Sequence, residues 1–106
     1  MNAGDILEAD LLALLTDIRS YLGVTWPDEG LDGKLNGFIL RGITYLNDIA
    51  GADQEYLVEG QARSLLFDYV RYNRAQALEA FWQDFRHELL MLRAAAEVAA
   101  YESPDV

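Results

Sequence analysis

The chain's one histidine stands in His87-Glu88-Leu89-Leu90-Met91, the opening of an HExxH zinc-protease motif with Met91 in the place of the second histidine. A catalytic zinc on a helix needs two imidazoles one turn apart, and a thioether does not replace one, so the match fails. There is no cysteine, which removes disulfides, thiolate metal ligands and thiol nucleophiles. The stretch "GLDGKLNG" is rich in glycine but lacks the Lys-Ser/Thr pair of a phosphate-cradling loop. The acids of "DEGLD" do not fit an EF-hand. The remaining carboxylates fall on predicted solvent faces or loops, where nothing tunes a carboxylate for acid–base work. The expectation is therefore no catalytic residue, no cofactor and no metal: not an enzyme.

The chemistry left is that of a binding surface. The segment Leu65 to Arg93 gathers large rings together with Arg71, Arg74, Arg86 and Arg93, in a chain whose net charge is -10. On a helix, Phe67 points away from the stripe of Leu66 and Tyr69 and is flanked by Arg63, Arg71 and Arg74. Arginine and aromatic residues carry a disproportionate share of interface energy. The alternative is that Phe67 packs under a loop of its own chain while the arginines pair with nearby acids such as Asp68. Phosphate binding needs clustered cations, so 18 acids against eight bases make a poor nucleic-acid ligand. The first 15 residues carry acids where a signal peptide carries Lys or Arg, and no apolar run reaches membrane-spanning length. A soluble intracellular protein with no membrane partner is expected.

The elements that position these residues read as helices. A length of 106 residues with 52% hydrophobic composition fits one ordered domain with a modest core. Leu7, Leu11, Leu14, Leu15, Ile18 and Leu22 share one face, with Asp5 and Gly23 as candidate caps. Leu35, Phe38, Ile39, Gly42, Ile43, Leu46 and Ile49 repeat the pattern in a second helix from near Asp32 to Gly51, and Gly42 on that stripe lets another helix approach closely. Ala62, Leu65, Leu66, Tyr69 and Asn73 mark a third face. Leu78, Phe81, Phe85, Leu89, Leu92, Ala96 and Ala99 mark a fourth and longer one. No stretch alternates long enough to demand a strand. The predicted fold is all-α: one domain of about four helices over residues 1–102, the last helix longest, with 103–106 a short solvated tail.

That last helix has more apolar surface than one core uses. A second line runs through Leu90, Met91, Ala94, Val98 and Tyr101, and a helix apolar on two faces is either central in its own fold or shared with a neighbour. Trp82 and Arg86, four residues apart, are spaced for an intrahelical stack. In the acidic loop, Trp26 with Asp28 and Glu29 either staples the loop to the core or forms a partner contact.

The order "YLGVTWPDEGLDGKLNGFILRGITYLNDIAG" followed by "LLFDYVRYNRAQALEAFWQDFRHELLMLR" resembles the small helical head-tail connector (adaptor) proteins of long-tailed bacteriophages and Gram-positive prophages. The likeness covers residues 11 to 95. It implies a structural virion protein at the head-tail junction, assembled in the host cytoplasm as a ring, with a dodecamer as the candidate size. The implied partners are further copies of itself, the portal protein, and the next head-completion or tail protein. DNA would pass through the channel without specific binding, and an acidic wall suits that passage. The competing reading is a small acidic regulatory or antitoxin-like module that occludes one partner with its apolar helix face.

Overall fold

A computed structural model describes residues 1–102; the expected tail at 103–106 lies outside the described residues. The chain is all-helical, in the order α1 (Glu8–Leu22), α2 (Glu29–Ala50), α3 (Gln61–Arg74), a 3₁₀ turn (Leu78–Ala80), α4 (Phe81–Asp84) and α5 (Arg86–Tyr101).

Each boundary has a local cause. α1 ends at Gly23 in the left-handed region, where the Gly23 and Val24 N–H groups close back onto the Ser20 and Arg19 carbonyls. Its start is not at Asp5: Leu7 holds the N-cap position and caps with no side chain. α2 begins earlier than its apolar stripe, because the Asp28 carboxylate accepts the Leu31 N–H at 3.0 Å and so nucleates the helix before Asp32. Gly51, again left-handed, ends it.

The fourth apolar stretch is not one helix. α3 stops at Ala75, and Gln76 takes a left-handed φ of 58° while the Ala77 N–H reaches the Tyr72 carbonyl at 2.9 Å. This is a glycine-type helix stop built on a glutamine. A second break at Phe85 separates α4 from α5. The longest helix is consequently α2, with 22 residues against 16 in α5.

The core lies where α2 meets α1, α3 and α5, around Leu14, Ile18, Ile39, Ile43, Leu46, Leu66 and Leu89, all fully enclosed. Each such side chain contributes about 1.5–3 kcal/mol relative to exposure. α3 returns antiparallel along α2: Tyr56, just ahead of α3, sits at Ile43 and Asn47, and Leu66 and Tyr69 sit at Gly42. An aromatic cluster of Tyr45, Tyr69, Tyr72, Phe81 and Phe85 ties the broken segment to α2 and α3, with Phe81 at its centre. Edge-to-face pairs of this kind add ~0.5–1.5 kcal/mol each beyond burial.

Candidate protein-interaction surfaces

α5 enters the core through Leu89 and Leu92, and Ala96 is half-buried; beyond Ala96 every described residue of the helix is exposed, including Ala99, which the stripe placed inward. The opposite side carries Leu90, Met91, Ala94, Val98 and Tyr101, all exposed, with Tyr101 at 89%. Met91, Ala94, Val98 and Tyr101 follow a 3-4-3 spacing. That is the seam by which one helix packs against another in a coiled coil. Between this helix and the end of α2 runs an open groove of ≈ 530 Å³, bordered by Tyr45, Ile49, Trp82, Leu90, Arg93 and Ala96. The Arg93 Nε–Glu97 pair at 3.3 Å lies along its edge and is exposed at both ends.

The Phe67 patch is occupied by its own chain. Phe67 is half-buried, with the Tyr21 ring centred 5.6 Å away and the Arg63 guanidinium 4.5 Å above it. Arg63 donates to the Tyr56 carbonyl at 2.9 Å and to Asp17 at 2.7 Å, which bridges α1, α3 and the segment before α3. Arg71 pairs with Asp68 at 3.3 Å and lies over Tyr72. Asp68 also accepts from the Tyr21 hydroxyl at 2.6 Å, and this bond, ahead of burial, raises the Tyr21 pKa. Arg74 alone of the set makes no ion pair among the described residues. It stands at the end of α3, apart from Phe67, in a cleft with Trp26, Leu31 and Lys34.

The Trp82–Arg86 stack does not form: the break at Phe85 takes the two residues out of a common helix, and the guanidinium–ring contacts among the described residues are Arg63–Phe67 and Arg71–Tyr72. Trp26 is half-exposed, and Val24, not Trp26, roots the acidic loop in the core. Asp28 is engaged as the α2 cap, and Glu29 is exposed in the first turn.

Two polar positions escaped the sequence reading. Asn47 on α2 accepts from the Tyr56 hydroxyl at 2.7 Å and from the Gln54 N–H at 3.0 Å, and donates to the Met1 carbonyl at 2.7 Å. One amide thus ties the 51–60 segment and the N-terminal residues to α2. Arg19 holds the loop after α1, donating to Asp32 at 2.5 Å and to the Trp26 carbonyl. Hydrophobic periodicity carries no sign of either, because both act through single polar atoms.

Among the described residues no three His, Asp or Glu side chains converge as metal ligands, and no helix is long and apolar enough to cross a membrane. His87 is exposed at the start of α5. What the arrangement offers is contact surface: an uncovered helical seam, a groove beside it, and a cationic aromatic cleft at the far end of α2. No family model, curated protein or solved structure matches the chain.

Proposed function

We propose that the chain is a structural subunit of a bacteriophage head-tail connector, forming a ring below the portal that joins the DNA-filled head to the tail. The observation that carries this reading is the C-terminal half of α5, an apolar helix that leaves the core after Ala96 with Met91, Val98 and Tyr101 uncovered. Water is a poor neighbour for such a seam, and another helix is a good one. The resemblance of residues 11 to 95 to the connector family supplies the role. The surplus of acids supports passage of DNA without adhesion, since a negative wall repels phosphates.

The test is electron microscopy of lysates from the phage or prophage carrying the gene, with the gene deleted and then restored from a plasmid. Separate filled heads and finished tails on deletion, rejoined on restoration, are expected. Normally tailed particles from the deletion would refute the connector role and turn attention to a small regulatory protein that covers one partner with the same α5 face.

A further inference from the structure

The loop between α1 and α2 fixes Trp26 without burying it. Val24 is seated in the core, Arg19 clamps the Trp26 carbonyl while holding Asp32, and Pro27 follows immediately. The backbone is thereby held, and the indole remains 50% exposed. An aromatic ring on a backbone already held by its own fold loses less entropy on binding than one on a free loop, which suits an interface anchor. Beside it, Lys34 and Arg74 border the same cleft of ≈ 410 Å³ with Leu31. Neither cation makes an ion pair among the described residues, although acids outnumber bases 18 to eight. The one carboxylate in the cleft, Asp28, is engaged with the Leu31 N–H.

The matching surface is on the same molecule, at its other end. Asp5, Asp10, Asp53 and Glu55 line a cleft of ≈ 290 Å³ with Ile6, Leu7 and Leu57; the Met1 ammonium, the one cation there, stands 3.8 Å from Glu55, and Leu7 is 66% exposed. α1 separates the two clefts by its whole length, about 22 Å at 1.5 Å per residue.

We propose that the Trp26–Lys34–Arg74 cleft receives the Leu7 corner of a second copy of this chain, head to tail. This inference rests on the reading of the protein as a ring subunit and assigns one of its contacts. The leucine meets the indole and Leu31, while the acids around it meet Lys34 and Arg74. Because the two surfaces differ, the contact is heterologous and repeats from copy to copy, as ring closure requires. Nucleic acid is the weaker occupant, since two cations do not offset the repulsion of a chain at -10.

The experiment is sedimentation velocity with native mass spectrometry on the full chain, across concentration and salt. Wild type should self-associate, less so at high salt. Trp26→Ala/Arg74→Ala and Asp5→Asn/Leu7→Ser, all exposed positions, should each weaken association at least about tenfold with unchanged circular dichroism. An equimolar mixture of the two variants should give a heterodimer and nothing larger, because one intact pair of ends remains. Wild type that stays monomeric, variants that associate like wild type, or a mixture that stays monomeric would each overturn the contact. So would wild-type association lost only in Val98→Ser/Tyr101→Ser, an outcome that leaves the ring reading standing. That reading fails separately if deletion of the gene leaves heads joined to tails.

Discussion

Gly42 on α2 lies so close to Leu66 on α3 that a Cβ on the glycine would stand 2.6 Å from Leu66 Cδ1 and 2.9 Å from Tyr69 Cδ1. The Leu66 tip can turn aside, but the Tyr69 ring is held between Tyr45 and Phe81. Gly42→Ala should therefore force the two helices apart and cost about 1–3 kcal/mol, as overpacking does, against the small gain in helix propensity. Urea unfolding should show a lower midpoint with an unchanged slope. A midpoint at or above wild type would mean that α2 and α3 do not meet at this glycine.

Gln76 is the one described non-glycine residue with positive φ, and it ends α3 in a conformation that glycine adopts without strain. Gln76→Gly should stabilise the domain by about 1 kcal/mol, a rise of roughly 4–8 °C in melting temperature for a chain of this size. The side chain is exposed, so no packing is lost. A fall in stability would show that Gln76 makes a contact worth more than its backbone strain.

These two positions mark what the sequence could and could not reveal. Apolar periodicity identified the core faces of α1, α2 and α3, except at Leu7, which is exposed at the α1 N-cap, and a glycine within a buried stripe identified the close approach at Gly42. Gly23 and Gly51 announced the ends of α1 and α2. The same helix stop at Gln76 had no glycine to announce it, so the last apolar stretch read as one long helix and the breaks at Gln76 and Phe85 went unseen. The exposed line on α5 was legible because it continues helical spacing on the face away from Leu89 and Leu92. The pairing of Arg63 with Asp17 was not, because it joins residues 46 apart in sequence.

Tyr56 is fully buried, and burial foremost, with the Asp53 charge adding to it, raises its pKa far above the ordinary value of 10.0. The fold favours the neutral phenol. Below pH 10 both states are protonated and the contribution is fully present; above it the unfolded chain releases the proton while the folded one keeps it, and stability falls with rising pH. The slope from one such group is about 1.4 kcal/mol per pH unit. Tyr45 and Tyr69 are shifted in the same direction by burial and add to the effect. Tyr56→Phe should cost about 0.5–1.5 kcal/mol at neutral pH through loss of the Asn47 bond, and its alkaline loss of stability should be shallower. Parallel wild-type and variant curves above pH 10 would rule this out.

Arg63 and Arg74 sit on one helix and should respond unequally to truncation. Arg63 is a half-buried strut whose guanidinium serves the Tyr56 carbonyl, Asp17 and the Phe67 face, so Arg63→Ala should cost about 1–3 kcal/mol. Arg74 is exposed and unpaired among the described residues, so Arg74→Ala should change stability by no more than ~0.5 kcal/mol. Thermal melts of the two variants measure the difference. Equal losses would contradict the division between a structural arginine and one free for a partner.

The α5 seam can be separated from folding in the same way. Val98 and Tyr101 lie past the last core contact of the helix, so Val98→Ser/Tyr101→Ser should leave the melting temperature within the range of ordinary surface changes, about 0.5 kcal/mol, apart from a small loss of helix propensity. Leu92→Ala, earlier on the same helix and buried, should cost about 2–5 kcal/mol. If the exposed seam is a docking surface, the Val98/Tyr101 variant folds like wild type yet fails to restore tailed particles to a deletion lysate. The Leu92 variant fails through instability, and its defect is relieved at lower temperature. A Val98/Tyr101 variant that restores particles as well as wild type would show that the apolar end of α5 is not the surface by which the protein joins its partners.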